Sequence, residues 1–199
     1  MTALTPARVL VVCTGNICRS PYIEHLLQGE LDQVWGQGRV MVRSAGTHAL
    51  AGQTIDPGSA TALRARGQAA PDFRARHLLV ADIAAADLVI AVTREHRSAV
   101  VRMSPTALRR TTTLAEVALA APLVPAIRRD EGDLSAAVRT VAAAVVAHRP
   151  ALVDIPPRTL DLDDPYRQEQ EAYDRMARGV DRWLPGVVSA LSPSDATEG

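Results

Sequence analysis

Cys13 and Arg19 are separated by five residues in the run Cys-Thr-Gly-Asn-Ile-Cys-Arg-Ser-Pro. A thiolate can attack phosphorus, and a planar guanidinium can hold two phosphate oxygens at once. Between them, Gly15 and Asn16 are residue types that tolerate positive φ, so the turn can aim several backbone N–H groups at one oxyanion. This segment therefore predicts a phosphate-binding loop that carries its own nucleophile.

Two regular elements must position this loop. The four aliphatic residues 9–12 predict a strand that is buried on both faces. After the loop, apolar residues recur at helical spacing, namely Ile23, Leu26, Leu27, Leu31, Val34 and Trp35. The positive end of that helix dipole and the neighbouring Arg19 both stabilise a thiolate at Cys13, and Ser20 is a candidate hydrogen-bond donor to it.

Phosphoryl transfer also needs a proton donor for the leaving oxygen, and Asp164 in the run Asp-Asp-Pro-Tyr is the best candidate in the chain. Because Pro165 restricts the residue before it to extended geometry, Asp164 is expected to project from a loop. Tyr166 would then form an aromatic wall of the pocket. The alternative interpretation of this segment is a solvated turn before the last helix.

Three segments resemble the low-molecular-weight protein tyrosine phosphatases. They are the nine-residue loop that begins at Cys13, Ser-Ala-Gly-Thr at 44–47, and Asp-Pro-Tyr at 164–166, and they span most of the chain in the family's order. The resemblance implies Cys13 as the nucleophile, Arg19 as the clamp on the transition state, and Asp164 as general acid and then base. No cofactor is expected. The five histidines lack the spacing of zinc ligands, so we interpret them as surface or structural residues and expect no metal.

The resemblance also assigns the other residues of the loop. Those expected to bind phosphate or sulfate are Thr14, Gly15, Asn16, Ile17, Cys18, Arg19 and Ser20. Hydrogen bonds among Asn16, Ser20 and Ser44 are expected to support the loop. Cys18 is expected to be a redox partner that protects Cys13 through a reversible disulfide under peroxide.

Two departures from the family pattern concern the pocket. Phe73 stands where many relatives hold a histidine two residues before an Ala-Arg pair, so one hydrogen bond of the usual network is expected to be missing. Where eukaryotic members have an aromatic wall after the Gly-Thr step, this chain has the aliphatic Leu50. The substrate wall is therefore expected to consist of Ile17, Leu50 and Tyr166.

Strands and helices alternate along the chain, which implies an α/β fold with a parallel sheet. Besides residues 9–12, strands are expected at 40–43, 86–92 and, from a weaker pattern, 110–113, and helices at 57–66 and 94–102. The expected architecture is a single-domain three-layer sandwich, with a four-stranded parallel sheet flanked by helices on both faces and the phosphate-binding loop after the first strand. The domain is expected to occupy residues 1–191, and residues 192–199 are expected to be a disordered tail.

Residues 121–160 form a longer stretch than most relatives have, and we interpret them as an inserted helical segment. Its helix carries apolar residues at helical spacing, namely Leu134, Val138, Val141 and Val145. This spacing is typical of a helix packed against the sheet. The alternative is a docking surface or lid, because the segment leads into the Asp164 loop. Tyr173 falls on a separate apolar stripe and is interpreted as a core residue.

Composition agrees with a soluble intracellular enzyme of 199 residues, with zero formal net charge, 47% hydrophobic residues and no apolar run long enough to span a bilayer. Two cysteines in one loop cannot staple a secreted framework, and no signal peptide precedes the first strand, so the expected compartment is the cytoplasm. Balanced charge argues against nucleic-acid binding. We expect neither a nucleic-acid nor a membrane partner, and a monomer or a weak dimer.

Phosphotyrosine in a protein is the leading substrate, because a loop with an aromatic flank suits an aryl phosphate. A bacterial tyrosine kinase or a host phosphoprotein would then be a partner. Arsenate reductase shares the fold but needs further thiols, and no cysteine follows Cys18. Protein-arginine phosphatases typically have threonine at the position of Ile17, so arginine phosphate is a weaker alternative. A phosphate- or phosphopeptide-binding module is the alternative outside enzymology, although binding alone needs neither a thiolate nor an acid.

Overall fold

A four-stranded parallel sheet lies at the centre of the computed structural model, which describes residues 6–152 and 154–194. Its strands are β1 (Ala7–Cys13), β2 (Val40–Gly46), β3 (Leu88–Ala91) and β4 (Thr111–Thr113), in the order β2-β1-β3-β4. The helices are α1 (Arg19–Trp35), α2 (Pro57–Ala65), α3 (Val80–Ala85), α4 (Arg94–Met103), α5 (Leu114–Ala120), α6 (Leu134–His148), α7 (Pro157–Leu160) and α8 (Gln170–Leu191). The described part of the chain contains no helix that is both long and apolar enough to cross a bilayer.

Side chains of β1 alternate between two cores. Val9, Val11 and Cys13 join the larger core, to which α1, α5, α6 and α8 contribute. Leu10 and Val12 join a smaller core with residues from α3 and α4. Because both faces of the strand are covered by helices, the expected three-layer α/β sandwich is confirmed.

The strand ends differ from the sequence-based expectation by a few residues. β2 continues past residue 43 to Gly46, where the backbone also bridges to His77. β3 is shorter than residues 86–92, although the N–H groups of Asp87 and Val92 still donate to β1 carbonyls, and the Asp87 side chain accepts from the Arg8 N–H at 2.9 Å. β4 was hard to predict because it is three threonines. All three are buried, and the Thr111 hydroxyl is bonded to the Ala107 carbonyl at 2.8 Å.

Helix α6, the helix expected in the inserted segment, packs against the sheet. Its buried residues are Leu134, Val138, Val141, Ala142 and Val145, and they belong to the larger core. Its first turn also contributes Ser135, whose hydroxyl donates to Asp87 at 2.7 Å. This placement agrees with the packing interpretation of the helix.

The expected disordered tail is wrong for two of its residues. Pro193 and Ser194 form β6, which pairs in parallel with β5 (Ile127–Arg128). Ile127 is buried in the larger core, so a two-residue partner strand can hold the chain after α8. Residues 195–199 of the expected tail lie outside the described residues.

Candidate active site

The phosphate loop, residues 13–20, joins the end of β1 to the first turn of α1. The carbonyl oxygens of residues 13, 14 and 15 accept backbone hydrogen bonds from residues 47, 48 and 50 at 2.9, 3.0 and 3.0 Å. Gly46 lies so close to the loop that an added Cβ would overlap the Thr14 carbonyl oxygen, so this position requires glycine. The carbonyls are thus bonded outside the loop, and the Asn16 N–H faces inward to donate to Cys13 Sγ at 3.2 Å.

Cys13 Sγ lies 2.9 Å from the Ser20 hydroxyl oxygen, and both residues are buried. Asn16 Nδ2 donates to that same oxygen at 2.9 Å. Since an amide N–H is an obligatory donor, Ser20 accepts from Asn16 and can direct its own proton to sulfur. The geometry therefore provides two donors for a thiolate at Cys13, the Ser20 hydroxyl and the Asn16 N–H.

Asn16 ties the phosphate loop to β2 as expected. Its backbone has a φ of 54°, a left-handed conformation that asparagine tolerates better than most residues. Nδ2 also donates to Ser44 Oγ at 2.8 Å, and Oδ1 accepts from the Arg76 N–H at 2.9 Å. The structure therefore brings together the three residues that were expected to support the loop.

Glu24 extends this network, and sequence reasoning missed it. Ser44 Oγ donates to Glu24 Oε2 at 2.5 Å, and the carboxylate is buried. The signal for Glu24 in the sequence was an acidic residue within the apolar stripe of α1, next to Ile23.

Phe73 stands in the place of the usual histidine. Its ring packs edge-on against the ring of His25, with 6.0 Å between the ring centroids. Burial lowers the pKa of His25, with Glu24 opposing this and Arg43 adding to it.

Arg19 and Asp164 meet across the cavity mouth. Arg19 Nη2 donates to Asp164 Oδ2 at 2.7 Å. The Arg19 side chain is 5% exposed, whereas the Asp164 side chain is 48% exposed. Longer contacts run from Arg19 to the Leu162 carbonyl and to Thr14 Oγ1, at 3.4 and 3.5 Å. The fold thus brings together a cation and an acid that are 145 residues apart in sequence.

A cavity of about 130 Å³ opens above Cys13. It is lined by Cys13, Thr14, Gly15, Ile17, Cys18, Arg19, His48, Leu50, Asp164 and Tyr166. The three residues expected to form the substrate wall all contribute to this lining. His48 lines it as well, although sequence reasoning treated the histidines as surface or structural residues.

The family model described as low molecular weight phosphotyrosine protein phosphatase matches residues 8–135. The chain belongs to this family. The match covers the phosphate loop and ends before Asp164. One curated relative is the probable low molecular weight protein-tyrosine-phosphatase EpsP of Ralstonia nicotianae, which is 26% identical over 183 residues, covering 90% of this chain and 94% of EpsP. Relatives with this name are hydrolases. This chain has the cysteine of the phosphate loop, Cys13.

Solved structures show the same fold at low sequence identity. The tyrosine phosphatase AmsI of Erwinia amylovora aligns with a TM-score of 0.67 and 20% identity, covering 96% of each chain. The YwlE arginine phosphatase of Geobacillus stearothermophilus aligns with a TM-score of 0.65 and 24% identity, covering 92% of this chain and 91% of that one. These two neighbours support the phosphatase fold, and their named substrates differ.

Cys18, the second thiol of the phosphatase loop, has surroundings unlike those of Cys13. Burial raises the pKa of Cys18 to about 12, and the negative charges of Asp56 and Asp164 act in the same direction. Both cysteines are free thiols in the structure. The environment keeps Cys18 protonated, so its expected role as redox partner stays a prediction that depends on Cys13 reacting first.

His96, on α4, contacts the phosphatase loop directly and was missed by sequence reasoning. Its Nε2 lies 2.9 Å from Thr14 Oγ1, and its Nδ1 lies 2.6 Å from Thr93 Oγ1. Burial, followed by the positive charge of Arg19, lowers the pKa of His96 to about 4. His96 therefore agrees with the interpretation of the histidines as surface or structural residues, and it is a neutral imidazole bonded to the site.

Tyr173 lies beside the phosphatase loop, packed in a small cluster with Ile17, Cys18 and Ala75. Its ring is buried, which agrees with its interpretation as a core residue. Burial raises the pKa of its hydroxyl, and a hydrogen bond to Asp56 adds to this. Tyr173 therefore packs against the loop as a neutral phenol.

Proposed function

We propose that this protein is a protein-tyrosine phosphatase that works through a cysteinyl-phosphate intermediate. The observation that carries the proposal is the convergence of Cys13, Arg19 and Asp164 on one small cavity. A nucleophile, a phosphate-binding cation and a proton donor are the three groups that this reaction requires.

In the first step, the Cys13 thiolate attacks phosphorus while the bond from phosphorus to the aryl oxygen breaks. Asp164, in its protonated form, gives that oxygen its proton, so the substrate leaves as a neutral tyrosine. Arg19 and the inward-facing N–H groups of the loop hold the three non-bridging oxygens and stabilise the charge that develops on them. The two donors at Cys13 Sγ favour the thiolate before attack.

In the second step, water attacks the phosphocysteine and the bond between sulfur and phosphorus breaks. Asp164, now a carboxylate, takes a proton from that water. The products are inorganic phosphate and the Cys13 thiolate, which returns to its two donors. One carboxyl group thus serves as acid and then as base.

The cavity walls support an aromatic substrate. Ile17 and Leu50 offer aliphatic surfaces, and the Tyr166 ring is partly exposed beside them. Phosphotyrosine fits such walls because its ring buries apolar area on binding. A tyrosine-phosphorylated protein, such as a bacterial tyrosine kinase, is accordingly the proposed partner. The cytoplasmic location and the oligomeric state stay predictions.

Hydrolysis of p-nitrophenyl phosphate near pH 6, in reducing buffer without added metal, tests the mechanism. We expect turnover by the native chain, none by Cys13→Ser and strongly reduced turnover by Asp164→Asn. Asp163→Asn is the matched control, because Asp163 is the exposed neighbour and does not line the cavity. An inactive native chain that still binds phosphate would mean that the loop is a receptor.

Substrate class is tested with paired peptides that carry phosphotyrosine or phosphoarginine. We expect the native chain to prefer phosphotyrosine. Ile17→Thr should lower that preference, because it removes an aliphatic wall that the aromatic ring contacts. A native preference for phosphoarginine would instead assign the protein the activity named for YwlE.

A further inference from the structure

A chain of three side chains runs from α4 to the phosphate loop. Thr93 is the N-cap of α4, and its Oγ1 accepts a hydrogen bond from the His96 N–H at 3.3 Å. The same oxygen lies 2.6 Å from His96 Nδ1, and His96 Nε2 lies 2.9 Å from Thr14 Oγ1. His96 is 6% exposed, so its ring is shielded from water, whereas the two threonines are half-buried.

The proton positions follow from counting donors and acceptors. Thr93 Oγ1 accepts from the backbone, and among the described residues its hydroxyl proton has one hydrogen-bond acceptor, His96 Nδ1. If Thr93 donates to Nδ1, the proton of the neutral imidazole is on Nε2. The reverse arrangement would make the half-buried Thr93 oxygen accept from two N–H groups of His96 and leave its own proton without an acceptor among the described residues. Burial and Arg19 keep the ring neutral, since its pKa is lowered to about 4.

Thr14 then receives two donors. His96 Nε2–H donates to its hydroxyl oxygen at 2.9 Å, and Arg19 Nη2 approaches the same oxygen at 3.5 Å. With both lone pairs facing donors, the hydroxyl proton of Thr14 must point elsewhere. Thr14 lines the cavity above Cys13, so the cavity is the direction available to that proton.

We propose that His96 is a positioning residue, which donates from Nε2 to Thr14 Oγ1 and so turns the Thr14 hydroxyl into a donor for a phosphoryl oxygen in the loop. The inference rests on the proposed function, since it assigns these residues to phosphate binding in that reaction. Thr14 contacts the phosphoryl group, and His96 acts only through Thr14. The threonine hydroxyl would supplement the N–H groups and the guanidinium that hold the same group.

A double-mutant cycle separates this role from simple packing. His96→Leu should lower kcat/KM for p-nitrophenyl phosphate about fivefold to tenfold, the worth of one such hydrogen bond. In a Thr14→Val background the same change should cost less than about twofold, because its partner hydroxyl is already absent. His96→Gln, whose amide has both a donor and an acceptor, and Thr14→Ser should each recover most of the activity. His148→Leu, on α6 and outside the cavity lining, is the matched control.

The proposal would be overturned if His96→Leu and Thr14→Val lowered kcat/KM independently, so that their losses multiply in the double variant, and if His96→Gln restored no activity. The same cycle measured as the Kd for inorganic phosphate requires no turnover. His96→Leu should weaken that affinity several-fold in the native background and leave it unchanged in Thr14→Val. An inactive native chain would therefore refute the proposed phosphatase activity while the binding cycle still decides the role of His96.

The tautomer of His96 gives a second readout, because a role in packing alone would not determine which ring nitrogen carries the proton. Nitrogen-15 NMR of the native protein labelled at histidine distinguishes the two neutral tautomers by their ring-nitrogen shifts. We expect the proton on Nε2 of His96 at pH 7. A proton on Nδ1 would make Thr14 the donor to His96, which contradicts the proposed direction.

Discussion

The two halves of the active site are held in different ways. The phosphate loop is buried, and Cys13, Asn16 and Ser20 bond to one another at 2.9–3.2 Å. The acid loop, residues 161–168, is anchored at its start, where Asp161 Oδ1 accepts from the Arg94 N–H at 2.8 Å. Its tip is exposed, and the Asp164 carboxylate bonds to Arg19 and to the Tyr166 N–H.

This difference matches the work that each loop is proposed to do. The phosphate loop must stabilise the same charge in both chemical steps, so its donors are fixed in advance. The acid loop must deliver a proton and then take one. In the proposed reaction, a phosphoryl group bound to Arg19 would compete for the N–H that Asp164 now accepts, which would release the acid towards the leaving group.

Asp164→Asn tests the acid loop through the leaving group. An amide cannot protonate the departing oxygen, so the loss should be largest when that oxygen is most basic. We expect turnover to fall by about 10³- to 10⁴-fold for phenyl phosphate and by about 10²-fold for p-nitrophenyl phosphate. Steady-state rates on both esters measure this. Equal losses on the two esters would mean that Asp164 is not the proton donor.

Asn16→Ala tests the phosphate loop through stability. The change leaves the Arg76 N–H without its acceptor, removes the amide that donates to both Ser20 and Ser44, and places alanine at positive φ. We expect the free energy of unfolding to fall by about 2–4 kcal/mol, measured by urea denaturation. Asp163→Ala, in the exposed acid loop, should change it by less than about 1 kcal/mol. Similar losses from both variants would remove the contrast between the loops.

Lowering the pH should reduce the folding stability of the protein through His96, which contacts the phosphate loop. The unfolded imidazole gains a proton near pH 6.5, whereas in the folded protein it stays neutral down to about pH 4. Because the unfolded state binds the extra proton in this window, stability falls as pH drops from 6.5 towards 4. His96→Gln lacks this component, so the native chain should lose more stability than the variant in urea titrations across this range. Parallel pH dependences would contradict a buried neutral His96.

The smallest expected effect concerns Arg167 in the acid loop. This residue has a φ of 60°, and its guanidinium carbon lies 5.1 Å from the Tyr166 ring centroid. Arg167→Gly relieves the left-handed conformation but removes the cation–π contact, so stability should change by less than about 1 kcal/mol. We expect KM for p-nitrophenyl phosphate to rise about twofold as the ring loses its support. An unchanged KM would show that Tyr166 needs no such contact.

The sequence predicted best those parts of the site that are contiguous. Cys13, Arg19 and Ser20 lie within one short segment, and Asp164 is identified by the proline after it. His96 and Glu24 were missed because their partners, Thr14 and Ser44, are 82 and 20 residues away and no motif links them. Strand β4 had a weak pattern because it consists of three threonines and has no apolar residue to indicate a buried strand. The pairing of Pro193 with Ile127 depends on a tertiary contact that no local pattern contains.

In the proposed mechanism, Cys13 carries the phosphoryl group between the two steps. Acid quenching of the native chain during turnover of p-nitrophenyl phosphate, followed by peptide mass spectrometry, would locate that group. We expect the phosphoryl group on the peptide that contains Cys13, at a level that depends on the relative rates of the two steps, and none in Cys13→Ser. Turnover with a phosphoryl group on another residue, or undiminished turnover by Cys13→Ser, would show that Cys13 is not the nucleophile.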